Sequence, residues 1–253
     1  MKNYLDREWF WVGGKHACLS ILSNNKRKIN KLICTKDFLK KNKIKIKAEI
    51  VSADIIGKYF KDKHFAHQGI AVQTKKLEIP RINEIKFNKN NYKTIIILDR
   101  IVDQRNIGSI IRSCLAFNVD FVIIDKRYFN QDNYLFLKSS SGAFEKQKII
   151  ITSNIKNDIK VLKKNNFWIY SLDVYGNNYL DQFEFPEKKA FIIGSEGEGI
   201  KDSINNYSDN KIKIRINNDI ESLNVSNAVT SLLTSLNYKQ NLSWGKFFSS
   251  IFK

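Results

Sequence analysis

The chain has 253 residues, 43% hydrophobic and 12% aromatic, enough apolar material for one large or two ordinary domains and too much for global disorder. Its 43 Lys and Arg against 25 Asp and Glu leave a formal charge of +18. No apolar run approaches the ~20 residues of a membrane span, the opening Met1-Lys2-Asn3-Tyr4-Leu5-Asp6 has no secretory pattern, and Cys18, Cys34, Cys114, His16, His64 and His67 show neither disulfide nor zinc spacing. These features point away from membrane, secreted and metal-ribbon classes, toward a reducing, cytoplasmic setting with no metal.

The first third of the chain is the most basic. Residues 1–90 hold 21 Lys and Arg against 8 Asp and Glu, and the remainder 22 against 17. A bias toward Lys, Asn and Ile, visible in Asn88-Lys89-Asn90-Asn91, accounts for many lysines but not for their uneven placement. A polyanion such as RNA is the natural partner of such a surface, because each neutralised phosphate releases condensed counterions. In this region Phe10–Leu22 reads as an entry turn at Gly13-Gly14 followed by a helix. Lys31–Thr35 reads as a short strand and Gly69–Thr74 as a last strand, giving a small basic α/β module.

A polar stretch, Leu77–Tyr92, containing Pro80, separates this module from a different pattern. Thr94–Asp99, Phe121–Asp125, Phe167–Asp173, Ala190–Gly194 and Lys211–Ile216 are apolar or β-branched runs of strand length. Several are apolar on both faces, as buried parallel strands are. Between them, Ile107, Ile110, Ile111, Cys114 and Leu115 follow helical spacing, as do Val225, Ala228, Val229, Leu232, Leu233 and Leu236. Alternating strands and helices predict a parallel α/β sheet with its ligand at the strand carboxyl ends.

Three loops at those ends carry polar groups. After the first strand, Arg100–Arg112 reads RIVDQRNIGSIIR, with Asn106 as a possible helix cap, Gly108 in the first turn and Arg112 further on. Taken alone, a capped helix with a solvated Arg explains it better. After the fourth strand, Gly194-Ser195-Glu196-Gly197-Glu198-Gly199 is poor packing material but a good cradle. Its two carboxylates repel phosphate and no Walker lysine follows, so a cationic or zwitterionic ligand fits better than a nucleotide. After the fifth, Ser222, Asn224 and Ser226 supply donors and acceptors where a helix begins, as ligand groups or simply as caps.

In this order the three stretches resemble the signature motifs of the SpoU/TrmH family of SPOUT methyltransferases. Asn106, Gly108 and Arg112 resemble N-x-G-x-x-x-R; Gly194, Glu196, Gly197 and Gly199 resemble G-x-E-G-x-G; Ser222 to Ala228 resembles S-L-N-V-S-x-A. Leu98-Asp99, Ser141-Gly142-Ala143 and His67-Gln68-Gly69 agree as well. The resemblance implies a SPOUT α/β-knot, with a parallel sheet and a C-terminal trefoil knot, an exception to the unknotted rule, preceded by a ribosomal-protein-like RNA-binding domain. The expected boundaries are 1–76 for the RNA-binding domain, 77–92 for the linker, 93–245 for the methyltransferase domain and 246–253 for a tail.

It further implies transfer of a methyl group from S-adenosylmethionine (SAM) to a ribose 2′-hydroxyl, a guanosine of large-subunit (23S) rRNA being the expected target, by a homodimer. Gly194, Ile214 and Leu223 would bind the adenosyl group, with Ile193, Ile216 and Asn224 close by. Arg112, Asn106, Glu196, Ser222 and Asn224 would be the catalytic set. Two departures stand out. Asp103 is followed by Gln104 where the family often has Pro, and Ile214-Arg215-Ile216 replaces the usual Ile-Pro-Met, a loop less pre-set without its proline. The alternatives are the same chemistry on tRNA, and a catalytically silent RNA-binding or ribosome-assembly factor on the same fold.

Overall fold

A computed structural model describes residues 8–42, 44, 46–60, 65–87 and 92–239. The opening residues 1–6, His64, the run 88–91 and the expected tail 246–253 lie outside the described residues, as does the end of the expected second domain, 240–245. The chain forms two compact units: Met1–Glu78 with Asn130–Lys146, and Ile79–Phe129 with Gln147–Lys253.

The first unit is a four-stranded sheet with short helices. In chain order it runs β1 (Trp9–Gly13), α1 (Lys15–Ser23), β2 (Ile29–Cys34), α2 (Lys36–Lys41), β3 (Glu49–Ile50), α3 (Ala53–Gly57) and β4 (Ile70–Lys75). The strand order is β1-β4-β2-β3. The aromatic run at Trp9–Gly13 is therefore a strand, paired antiparallel with β4, rather than only the entry to a turn. Gly14 has φ 103° and offers no side-chain cap to α1. The missing acceptor comes from a distant residue: Lys15 N donates to Gln68 Oε1 at 2.8 Å. Gln68 (φ 54°) and Gly69 (φ 77°) turn the chain there, and a Cβ on Gly69 would meet Thr35 Oγ1 at 2.8 Å. The His-Gln-Gly stretch thus has a structural duty. Arg27 and Glu145 form a buried ion pair at 2.7 Å that ties the Asn130–Lys146 segment into this unit.

The second unit begins with β5 (Thr94–Leu98), α4 (Gln104–Ala116) and β6 (Phe121–Asp125). After α5 (Tyr134–Ser140), which belongs to the first unit, it continues with β7 (Ile149–Thr152), α6 (Ile155–Lys164), β8 (Trp168–Leu172), β9 (Asn178–Tyr179), β10 (Lys189–Ile193), α7 (Asp202–Asn205), β11 (Asn210–Lys213) and α8 (Val225–Lys239). The sheet order is β7-β6-β5-β10-β8-β11-β9, and every pairing is parallel. Ile95, Ile96, Ile97, Val122, Ile123, Phe191 and Ile192 are wholly buried on both faces, which is why their runs carry no polar alternation. The expected α/β architecture with a parallel sheet is present. Strand order reverses between β5 and β10, so the loops after these two strands open a crevice at the carboxyl edge. The fifth strand ends at Lys213, three residues before expected, and Ile214–Ile216 continues as irregular chain. No described helix is long and apolar enough to cross a membrane.

One core group is electrostatically costly. Asp158, on α6, is buried, and burial raises its pKa, tempered by a hydrogen bond from Thr152. Its folded pKa lies above the unfolded value of about 3.9, so the native state holds the proton to higher pH. Stability from this group is full below the unfolded pKa and falls as pH rises through the folded one. Asp158→Asn is expected to raise the melting temperature at pH 7.5 and change it little at pH 3, below the unfolded pKa; an equal effect at both values would contradict this.

Candidate functional site

Helix α4 starts one turn earlier than Asn106 suggests. Asp103 is its cap, accepting from Arg105 N at 2.8 Å, because a side chain just before Gln104 reaches the free amides of the first turn. Asn106 is therefore not the cap, and its amide is available for contacts across the crevice.

The Gly-rich loop after β10 closes on itself. Ser195 N donates to Gly199 O at 3.2 Å and Gly199 N to Ser195 O at 3.0 Å. Gly194 lies so close beneath this closure that a Cβ would sit 2.3 Å from Gly199 C and 2.4 Å from Ile200 N. Gly197 and Gly199 have φ of 87° and 65°, which L side chains rarely adopt. The closed loop presents Glu196 and Glu198 on its exposed rim.

Each carboxylate holds a different neighbour. Glu196 Oε1 accepts from Asn106 Nδ2 at 3.1 Å, Asn224 Nδ2 at 2.6 Å and Val225 N at 3.2 Å. Asn224 Nδ2 also reaches Asn106 Oδ1 at 3.2 Å. Meanwhile Asn224 Oδ1 accepts from Ser226 N at 3.0 Å and Ser226 Oγ at 2.7 Å, capping α8. Asn224 is cap and site residue at once, and the Glu196 carboxylate sits at the positive end of a 15-residue helix. The three sequence motifs meet in one polar cluster.

Glu198 pairs with Arg100, which also reaches Gly199 O at 3.4 Å and lies 3.5 Å from the buried Asp99 carboxylate. Asp99 Oδ2 in turn accepts from Lys201 N at 3.0 Å. Arg100 holds φ 58°, an unfavourable value for a residue with a Cβ. Asp99 and Arg100 thus hold the far end of the Gly-rich loop, at Glu198, Gly199 and Lys201. Arg100 was not singled out from the sequence; the available signal was an arginine directly after the Asp that ends a buried strand.

The other expected residues are placed as follows. Ile193 is buried at the end of β10, and Ile214, Ile216 and Leu223 are half-buried in the chain between β11 and α8. The backbone N–H groups of Ile216, Leu223 and Asn224 have no hydrogen-bond acceptor among the described residues. Ser222 is exposed. Arg112 is also exposed, and among the described residues it makes no hydrogen bond or ion pair; Glu196 spends its bonds on the two asparagines and the helix end instead. Arg215 is tethered: its guanidinium lies 3.8 Å over the Tyr179 ring and its Nε 3.5 Å from Asp181. Tyr179 and Asp181, like Arg100, escaped the sequence reading, because only the β9–β11 pairing brings them to Arg215. Among the described residues no group of three or more His, Cys, Asp or Glu could hold a metal ion.

Comparison with known proteins places these features. The profile of the SpoU rRNA Methylase family matches residues 93–234, and that of the RNA 2′-O ribose methyltransferase substrate-binding domain matches residues 11–80. An uncharacterised tRNA/rRNA methyltransferase of Borreliella burgdorferi is 32% identical over 210 residues, covering 78% of this chain and 90% of its own. Among solved structures, the SpoU methyltransferase AviRb of Streptomyces viridochromogenes, in complex with AdoMet, superposes with a TM-score of 0.77 at 15% identity, covering 93% of this chain and 92% of its own. The AdoMet-bound rRNA methyltransferase of Sinorhizobium meliloti gives 0.77 at 16%, covering 94% and 90%.

Proposed function

The chain belongs to the SpoU rRNA methylase family of RNA methyltransferases, and on that premise we propose that it methylates a ribose 2′-hydroxyl of RNA with SAM, its substrate being a guanosine of large-subunit rRNA. The observation that carries this reading is the convergence of Asn106, from the first turn of α4, with Glu196 and Asn224, from two separate loops, on one point of the sheet's carboxyl edge. The basic first unit favours a large RNA substrate.

The residues present fit the cofactor. Gly194 leaves no side chain at the foot of the cradle, and the N–H groups of Ile216, Leu223 and Asn224, which have no acceptor among the described residues, offer donors beside the half-buried Ile214, Ile216 and Leu223. Gly194, Ile214 and Leu223 would hold the adenosyl group, with Ile193, Ile216 and Asn224 next to it. When bound, SAM supplies an activated methyl group. The trefoil threading of the C-terminal segment, a homodimeric assembly and a cytoplasmic setting belong to the same proposal.

The chain's own residues then have distinct tasks. Arg112, exposed and without a hydrogen-bond or ion-pair partner among the described residues, binds a phosphate of the RNA and stabilises charge developing on the 2′-oxygen. It does not act as the base, since a guanidinium keeps its proton in proteins. Glu196 Oε1 is committed to three donors, and its carboxylate serves as the proton acceptor. Asn106 and Asn224 fix that carboxylate, and Ser222 holds the ribose.

Arg215 takes over the task of the missing proline by stacking on Tyr179. Tyr179→Ala is expected to weaken SAM binding about two- to fivefold, the worth of an exposed cation–π contact, while Tyr179→Phe leaves it unchanged. Calorimetric titration reads both; equal affinity in the alanine variant would remove the tether from the account. The cofactor assignment itself is tested by thermal shift with SAM, ATP and NAD offered separately. SAM alone should raise the melting temperature, and a response to ATP or NAD without one to SAM would overturn it.

A further inference from the structure

The first unit carries a sheet face whose chemistry has no part in the site above. Side chains alternate across a strand, so Trp9 and Trp11 of β1 share a face with their cross-strand partners Lys75 and Gln73 of β4, and with Lys31 of β2 opposite Gln73. Ile33 and Ala71 lie further along this face, where Ile56 and Phe60 from α3 and the chain after it cover them. Among the described residues, the Trp9 end is not part of this covered cluster. Tyr59 lies against Trp11 with ring centroids 4.2 Å apart and is itself 41% exposed. Trp9 is half-buried, with the Lys75 ammonium 4.9 Å over its ring. Asn30 Nδ2 donates to Oε1 of Gln73, the cross-strand partner of Trp11, at 2.8 Å.

We infer that this face, Trp9–Trp11–Tyr59 with Lys31 and Lys75, is a stacking platform for single-stranded RNA. The inference rests on the RNA reading above and adds to it a second place of contact, remote in chemistry from the methyl-transfer cluster. Three aromatic rings at a sheet surface offer π-faces to bases, and residues two apart on a strand are about 7 Å from one another, a spacing that suits successive splayed bases. Stacking tolerates any sequence, because every base has a π-face. Charge complementarity selects nucleic acid over an apolar peptide: the face lies in the part of the chain with 21 Lys and Arg against 8 Asp and Glu. Lys75 and Lys31 each hold an acid at present, Glu8 and Glu49. Both pairs are exposed, and such pairs are worth only about 0–1 kcal/mol, so a phosphate replaces the carboxylate at little cost. A duplex buries its base faces and cannot use the rings.

The test is fluorescence anisotropy of a labelled ten-nucleotide oligouridine titrated with the full chain, with a labelled RNA duplex of the same length beside it and no SAM. Trp9→Ala and Tyr59→Ala should each weaken oligouridine binding about tenfold, the worth of one base–aromatic stack, with duplex binding unchanged. Trp9→Phe, which keeps a ring on the strand, should bind within about twofold of wild type and guards against misfolding. Unchanged oligouridine affinity in the two alanine variants overturns the platform, and so does an equal loss for duplex, which would mark the face as charged but not stacking. Because the readout needs no methyl transfer, the two readings fail separately. A chain that stacks oligouridine but never methylates RNA keeps the platform and loses the proposed reaction, and one that methylates RNA with both alanine variants binding normally does the reverse.

Discussion

Arg112→Ala is expected to lower single-turnover methyl transfer about 10²- to 10³-fold, the usual cost of removing one charge-stabilising donor from a transition state, while SAM affinity stays within about twofold. The split follows from position. Arg112 is exposed on α4 and, among the described residues, makes no hydrogen bond or ion pair, so it does not hold Ile193, Gly194, Ile214, Ile216 or Leu223 in place by either. The second variant, Arg112→Lys, separates charge from shape. A lysine keeps the positive charge but not the planar fork that pairs two oxygens at once, so most of the loss should persist. Turnover near wild type in the lysine variant would reduce Arg112 to a general attractor of phosphate.

Gly194→Ala is expected to abolish measurable SAM binding and to cost about 1–3 kcal/mol of stability, the range for overpacking a close-fitted site. The added carbon would stand 2.3 Å from Gly199 C and 2.4 Å from Ile200 N, both backbone atoms that no rotamer change can move. The loop must open, and with it the Ser195–Gly199 closure. Glu196 is then carried away from Asn106, Asn224 and the α8 amide it now joins. Gly197→Ala is the control. A Cβ there meets nothing within 4 Å, and only the φ of 87° opposes it, a penalty of about 1–2 kcal/mol of backbone strain without a steric block. Equal SAM affinity in Gly194→Ala and wild type would show that the closed loop is not the cradle.

What could be read in advance follows from how local each cause is. The central strands announced themselves because β5, β6 and β10 are buried on both faces, leaving apolar runs without polar alternation, such as Ile95–Leu98, Phe121–Ile124 and Ala190–Ile193. Lys211–Ile216 reads as one strand since its β-branched pattern runs on past the point where pairing partners stop, at Lys213. Asn106 looked like a cap because Asn is a good one, but Asp103 occupies the geometry that matters. The three motifs of the site were legible as motifs; that their side chains share one carboxylate oxygen was not, since it depends on loops 28 and 90 residues apart meeting in space. Arg100, Tyr179 and Asp181 belong to the same class, their partners being set by sheet order alone. So does the Asn130–Lys146 segment, held to the first unit by the buried Arg27–Glu145 pair across 118 residues of sequence.

The most direct test of the central claim is methyl transfer from labelled SAM, with purified large-subunit rRNA and bulk tRNA offered separately and ribose methylation mapped afterwards. The account predicts label on one rRNA guanosine 2′-oxygen, absent with Arg112→Ala. Label on tRNA alone would contradict the substrate assignment, and no label on either, despite SAM binding, would contradict the reaction itself.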